Sequence, residues 1–178
     1  MKAEITVRRG ERKDIPELLD IYNYEVVHGV ATLDLEPRTI DEWTTWFENH
    51  NIKNHPLLVA EIDGKVCGYA TLSEYRSKEA YASTVELSIY IDPNYRGKGV
   101  ASRLMGDILQ MAKDDESIHL VVSVITAGNE ASVSLHNKFN FTFSGTVPEV
   151  GIKQAVIKIR RHIHYWCNTI SVKWRAYA

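Results

Sequence analysis

Hydrophobic residues recur every three or four positions in several stretches of the chain, which is the spacing of an amphipathic helix. Asp14 and Pro16 form a helix start signal ahead of the first stretch, and Gly29 closes it. Thr39 and Glu42 have the spacing of a capping box ahead of the second stretch. Helices are therefore predicted from Ile15 to Gly29, after Thr39, from Gly99 to Lys113 and from Asn129 to Phe139.

Other stretches alternate apolar and polar residues, as strands do. Leu57–Ile62 and Lys65–Leu72 flank an Asp-Gly dipeptide, which is a strong hairpin signal. Thr84–Ile91 alternates cleanly and places Glu86 on its polar face. Further strands are predicted near Val7, at Leu120–Ile125, at Phe141–Val147 and around Ile157–Tyr165. A hairpin followed by strands that alternate with helices indicates a mixed α/β fold.

The composition fits one globular domain of 178 residues, with 44% hydrophobic and 25% charged residues. A chain of this length buries a core without needing disulfides or a metal. Cys67 and Cys167 each stand alone, without ligand spacing, so no metal site is expected. The N-terminus lacks an apolar signal segment, and the chain lacks a run of about 18 apolar residues. A soluble, cytoplasmic protein without a membrane partner is predicted.

Charge is distributed unevenly along the chain. The formal net charge is −2, yet residues 150–178 carry +6 without an acidic residue, and residues 1–149 carry −8. The acidic body offers no basic field for nucleic acid. The basic segment is interpreted as a solvated edge strand followed by a loose terminus, and nucleic-acid contact is the weaker alternative. No nucleic-acid partner is expected.

A glycine-rich turn at 92–102 follows a predicted strand and opens a predicted helix. Small residues allow a ligand to approach the backbone, and a helix N-terminus offers unpaired N–H groups and partial positive charge. Arg96 and Lys98 add positive charge for phosphates. The spacing is not that of a Walker loop, and Ser102 occupies the third glycine position of a dinucleotide fingerprint.

The turn resembles the signature of the GNAT superfamily of N-acetyltransferases. Residues 96–101 match its Q/R-x-x-G-x-G/A pattern, and residues 129–132 with 136–141 resemble its N-x-x-S…E-K-x-G-F segment. The chain further resembles the phosphinothricin and methionine sulfone/sulfoximine acetyltransferase branch. The stretches that carry this second resemblance are 76–81, 84–91, 132–136 and 149–153.

The resemblance implies a GNAT fold. Its mixed central sheet has antiparallel N-terminal strands and a splayed parallel pair, with helices on both faces. The acetyltransferase domain would cover residues 1–153, followed by an atypical basic segment, 154–178, made of an edge strand and a tail. A homodimer is expected by resemblance alone.

Acetyl-CoA is the co-substrate that the resemblance implies, held where strands 84–91 and 120–125 splay apart. The backbone of 89–91 would pair with the pantetheine arm, and N–H groups of the turn would hold the pyrophosphate. No metal is implied. The implied cofactor-binding residues are Ile89, Tyr90, Ile91, Arg96, Gly97, Lys98, Gly99, Val100, Ala101, Ser102, Asn129 and Ser132.

Glu86 matches the catalytic carboxylate of the family. A base is needed because the acceptor amine is mostly an ammonium ion at neutral pH and must lose a proton before it attacks the thioester directly. Partial burial would raise the pKa of Glu86 towards a useful value. His136 stands where many relatives have a tyrosine that protonates the departing CoA thiolate. A histidine that only packs or forms hydrogen bonds is the open alternative.

The acceptor implied by the resemblance is a small amino-acid-like molecule. Two cations in the loop after the hairpin, Arg76 and Lys78, suit a carboxylate and a phosphinate or sulfone oxygen. Some members of the branch have arginine where this chain has Lys78, and lysine binds an anion as a point charge. The implied acceptor-binding residues are Leu33, Arg76, Ser77, Lys78, Tyr81, Glu86, Leu87 and Ser88.

After residue 153 the chain departs from the branch, because the aromatic-Gly-x-Trp sequence and the acidic strand are missing. We hypothesise that the residues from about Gln154 onward are translated from a shifted reading frame, or were introduced artificially. Translating the gene in its two neighbouring frames tests the first hypothesis. Three alternative functions remain open: acetylation of a protein N-terminus or lysine, CoA binding without turnover, and nucleic-acid binding through the basic segment. Intact Glu86 favours an enzyme.

Overall fold

The computed structural model describes residues 4–153 and 159–170. Seven strands form one sheet with four α-helices around it. The strands are β1 (Ile5–Arg9), β2 (Leu57–Ile62), β3 (Lys65–Glu74), β4 (Thr84–Ile91), β5 (Leu120–Thr126), β6 (Thr142–Lys153) and β7 (Ile159–Thr169). The helices are α1 (Ile15–His28), α2 (Ile40–Glu48), α3 (Val100–Asp114) and α4 (Glu130–Lys138).

Local signals in the sequence account for several element boundaries. Asp63 and Gly64 join β2 to β3 with φ values of 52° and 75°, the positive pair that a tight two-residue hairpin turn needs. Thr39 caps α2: its hydroxyl accepts a hydrogen bond from the Glu42 N–H at 3.3 Å, and the Glu42 carboxylate accepts from the Thr39 N–H at 2.8 Å. Asn140 ends α4 with a left-handed φ of 61°. These predictions are confirmed.

The cap predicted at Asp14 takes a different form. Asp14 precedes α1, but its side chain makes no capping bond to the helix. Its two oxygens accept from Arg8 at 2.7 and 2.8 Å, and one also accepts from the Glu11 N–H at 2.8 Å. A buried carboxylate gains more from a bidentate guanidinium than from a cap, so Asp14 ties β1 to the start of α1.

The sheet has the mixed topology that the resemblance implied. Its strand order is β1-β2-β3-β4-β5-β7-β6, and among these strands only β4 and β5 pair in parallel. One face packs on α3, with Leu104, Met105 and Ile108 fully buried. The other face packs on α1 and α2 through an aromatic cluster that includes Trp43 and Tyr69. Helices therefore cover both faces.

The prediction of an edge position for the basic C-terminal strand is wrong. β7 lies between β5 and β6, with Trp166 opposite both Ser123 and Phe143. Ile163 and Trp166 are buried. Alternation of basic and apolar residues is the same for an edge strand and for an interior antiparallel strand with one solvated face, so the pattern could not distinguish the two.

Candidate active site

The main cavity of the protein opens where β4 and β5 separate. The two strands pair only from Thr84–Leu120 to Glu86–Val122 and then diverge. The cavity has a volume of about 770 Å³ and is lined by both strands, the N-terminus of α3, α4 and the segment after α1. Divergence leaves backbone groups of β4 facing the cavity rather than a partner strand, and an extended ligand arm can pair with such groups.

The glycine-rich turn forms one end of this cavity. Gly97 and Gly99 have φ values of 74° and 92°, which glycine adopts without strain. A Cβ built at Gly97 meets nothing within 4 Å, so the turn faces open space. Gly99 is the N-cap of the 15-residue helix α3 and supplies no side-chain cap, which leaves first-turn N–H groups for a ligand. This geometry fits a pyrophosphate.

Most residues implied for the cofactor line this cavity. Lys98 does not: its Nζ lies 4.7 Å from the centre of the Tyr95 ring. At the rim, Lys138 donates from Nζ to Ser102 at 3.2 Å, which adds a cation that sequence reasoning did not assign. The implied cofactor residues that line the cavity are Ile89, Tyr90, Ile91, Arg96, Gly97, Gly99, Val100, Ala101, Ser102, Asn129 and Ser132.

Glu25 on α1 is a cavity residue that the sequence did not reveal. Its Oε2 accepts from Arg96 at 2.8 Å and its Oε1 from the Ala31 N–H at 3.0 Å. The carboxylate occupies the space next to Gly29, where a Cβ would collide with it. One buried carboxylate thus joins the glycine-rich turn to the segment after α1, and only the packing of α1 brings them together.

Glu86 lies at the point where β4 and β5 separate. It lines the cavity together with Leu87 and Ser88. Burial raises the pKa of Glu86 above its ordinary value. A carboxyl group with a raised pKa is a better proton acceptor at the pH where it is still ionised, and this suits a general base.

His136 on α4 is 5% exposed and has both ring nitrogens engaged. Nδ1 is 2.7 Å from the Ser132 carbonyl oxygen, and Nε2 is 2.8 Å from the Ser123 hydroxyl. Burial lowers the pKa of His136, which favours the neutral ring. The acid role predicted for His136 stays a prediction: a ring that is neutral at rest protonates a leaving group only after it has taken up a proton during the reaction. Asn129 caps α4 through the Ser132 N–H at 3.2 Å.

The residues implied for the acceptor fall into two groups. Leu33, Glu86, Leu87 and Ser88 line the cavity. Arg76, Ser77, Lys78 and Tyr81 lie in the loop between β3 and β4, outside the lining.

Arg76 packs its guanidinium against two rings of its own loop, 5.1 Å from the centre of Tyr75 and 5.8 Å from that of Tyr81. A different cation stands closer to the cavity: Lys153, 4% exposed, donates from Nζ to the Thr32 carbonyl oxygen at 2.7 Å. Thr32 lines the cavity.

Within residues 4–153 and 159–170, no group of three or more His, Cys, Asp or Glu side chains is arranged to hold a metal ion. Over the same ranges, no helix combines the length and the apolar character needed to cross a bilayer.

The fold and the cavity agree with the outcome of comparisons with known proteins. The model of the acetyltransferase (GNAT) family matches residues 18–141. The chain belongs to this family, and it is an acetyl-CoA-dependent N-acetyltransferase. The family prediction is thereby confirmed.

Individual relatives show which members of the family this chain resembles. The chain is 38% identical over 154 residues to the phosphinothricin N-acetyltransferase of Streptomyces coelicolor, covering 85% of this chain and 90% of that protein. It is 32% identical over 149 residues to the L-methionine sulfoximine/L-methionine sulfone acetyltransferase of Salmonella typhimurium, covering 84% and 86%. A putative acetyltransferase from Salmonella typhimurium, solved with acetyl-CoA, superposes with a TM-score of 0.87 at 28% identity, covering 94% of both chains.

Proposed function

We propose that the enzyme transfers the acetyl group of acetyl-CoA to the α-amine of a small amino-acid-like acceptor of the phosphinothricin, methionine sulfone or methionine sulfoximine type. The observation that carries the proposal is the position of Glu86, which lies in the wedge between β4 and β5 with a pKa raised by burial. The names of the two relatives support the acceptor class.

In the proposed reaction the turn at 97–102 holds the pyrophosphate and the backbone of 89–91 holds the pantetheine arm. Glu86 takes a proton from the acceptor ammonium, directly or through a water, and the free amine attacks the thioester carbonyl. A backbone N–H near Ile89 stabilises the oxyanion. Leu33 forms an apolar wall on the acceptor side, which is where Lys153 supplies positive charge.

The proposed acceptor class is tested by measuring release of CoA thiol with a panel of acceptors. The panel contains phosphinothricin, methionine sulfone, methionine sulfoximine, free amino acids and a short peptide. We expect turnover with methionine sulfone, methionine sulfoximine or phosphinothricin as the acceptor, and weak turnover with the peptide. Turnover confined to the peptide would contradict the acceptor class and favour acetylation of protein N-termini. Tight acetyl-CoA binding without turnover on any arm would contradict the enzyme function.

A further inference from the structure

Ser123 occupies a special place on β5. Val122 forms the last parallel pair with Glu86, and Ser123 is the next residue, at the apex of the wedge. Its side chain is 2% exposed and lines the main cavity on the side of α4. A thioester seated in the wedge, as the proposed function requires, has its carbonyl near this apex.

The hydrogen bonds of His136 determine that the Ser123 hydroxyl is the donor in its contact with the ring. A carbonyl oxygen only accepts, so the 2.7 Å contact with Ser132 requires the proton on Nδ1. In the neutral ring Nε2 is then an acceptor, and the Ser123 hydroxyl donates to it at 2.8 Å. A serine that donates to a histidine, whose other nitrogen is held by an oxygen, is the arrangement that activates serine nucleophiles.

The same hydrogen-bond pattern occurs a second time in the protein. His50 contacts the Trp46 carbonyl oxygen through Nδ1 at 2.8 Å and the Ser73 hydroxyl through Nε2 at 2.9 Å. Ser73 lies opposite Glu86 in the β3–β4 pairing, but it lines a second cavity of about 590 Å³, whose walls do not include Glu86 or the glycine-rich turn. The pattern alone therefore does not define a site, and what distinguishes Ser123 is its position at the wedge.

We propose that Ser123 and His136 form a nucleophile–base pair, which gives the enzyme a slow hydrolase activity on acyl-CoA thioesters when no amine is bound. Ser123 Oγ attacks the thioester carbonyl carbon and its proton passes to His136 Nε2. The C–S bond breaks with its electron pair on sulfur, and the proton on Nε2 moves to sulfur. CoA thiol leaves, and an acetyl ester remains on Ser123.

Water completes the cycle. It attacks the ester carbonyl and gives one proton to His136 Nε2, the ester C–O bond breaks, and the proton returns to Ser123 Oγ. Acetic acid is the product. Glu86 takes no part in these steps, so amine acetylation and thioester hydrolysis depend on different residues of one cavity.

The experiment incubates the full chain with acetyl-CoA alone, and measures thiol release together with the mass of the acid-quenched protein. Wild type and Glu86→Gln are expected to show an acetyl adduct that maps to Ser123, or acceptor-independent thiol release if the ester turns over quickly. Ser123→Ala should lose the adduct and lower the release about 100-fold. Ser73→Ala is the matched control, because it breaks the equivalent bond to His50, and it should behave as wild type.

Calorimetric binding of CoA confirms that each variant is folded. Wild type with neither an adduct nor acceptor-independent release would overturn the pair, as would release that Ser123→Ala leaves unchanged. Adding methionine sulfone separates the two proposals. Amine transfer with neither an adduct nor acceptor-independent release refutes only the hydrolase. An adduct or acceptor-independent release without amine transfer refutes only the acceptor class.

Discussion

At the scale of single residues, replacing Glu86 is the most direct test of the proposed general base. Glu86→Gln keeps the shape of the side chain but cannot take a proton, so kcat should fall about 10²- to 10⁴-fold while acetyl-CoA affinity is nearly unchanged. Thiol release and calorimetry measure the two quantities. Glu116→Gln, an exposed change in the loop before β5, is the control. Equal loss of affinity in Glu86→Gln would show that Glu86 holds the cofactor instead.

The pH dependence of the wild type follows from the same residue. Burial raises the pKa of Glu86 above the ordinary glutamate value of 4.5, so the carboxylate needed as a base is lost at a higher pH than for an exposed glutamate. The rate should therefore rise with pH through an inflection above 4.5 that reports this group. A kcat/KM profile measured with and without Glu86→Gln checks the assignment, because the variant should lack that inflection.

Glu25 permits a second test at this scale. Its carboxylate bonds Arg96 at 2.8 Å in the region proposed for the pyrophosphate. Glu25→Gln should tighten acetyl-CoA binding about two- to fivefold, because a competing negative charge is removed from beside the half-exposed Arg96. The gain should shrink at high salt. Asp107→Asn, which removes a partner of Arg103 elsewhere on α3, is the control. Weaker binding in Glu25→Gln would mean that Glu25 positions Arg96 for the ligand.

Local chemistry explains which site residues the sequence could predict. Glu86 and the glycine-rich turn each belong to one strand or one turn, and their patterns are complete within about ten residues. Glu25 meets Arg96 across 71 positions, and Ser123 meets His136 through the packing of α4 on β5. Such pairs depend on tertiary packing, which single-element patterns do not contain.

At the scale of elements, the cap of α2 permits a stability test. Thr39→Ala removes the hydroxyl that accepts from the Glu42 N–H, and the free energy of unfolding should fall by about 1 kcal/mol. For a chain of this size, Tm should fall by about 2–4 °C. Thr45→Ala in the same helix is the control, because its hydroxyl bonds only the Asp41 carbonyl oxygen one turn earlier. An equal shift in both variants would contradict a specific cap.

Elements and their arrangement were predicted with different success. The hairpin, the cap of α2 and the end of α4 depend on residues next to each other in sequence, and the structure has all three. The place of β7 depends on which strand edges remain open after β5 and β6 form, and its alternating pattern carries no information about that. Residues 159–169 pair with both neighbours, so the segment completes the sheet whatever the origin of its sequence.

At the scale of the whole molecule, the exposed apolar residues of the edge strand β6 permit a prediction about assembly. β6 ends the sheet among the described strands and exposes Phe143, Val150 and Ile152 at 50%, 47% and 52%. Exposed apolar side chains along an unpaired edge favour association. A Cβ at Gly151 would come within 3.0 Å of Leu33, so β6 also supports the proposed acceptor wall. A second copy on this face would therefore stabilise the acceptor site.

Light scattering should give twice the chain mass for the wild type. Ile152→Asp should be a monomer, because burying a carboxylate at the interface costs several kcal/mol. In that monomer the acceptor KM should rise more than the acetyl-CoA KM. Leu33 lies against Gly151 of β6, whereas Gly99 of the glycine-rich turn lies near Ile5 of β1, at the opposite edge of the sheet. Val27→Asp, at an equally exposed apolar position of α1, should leave the mass unchanged. A monomeric wild type, or a dimer that withstands Ile152→Asp, would contradict this interface.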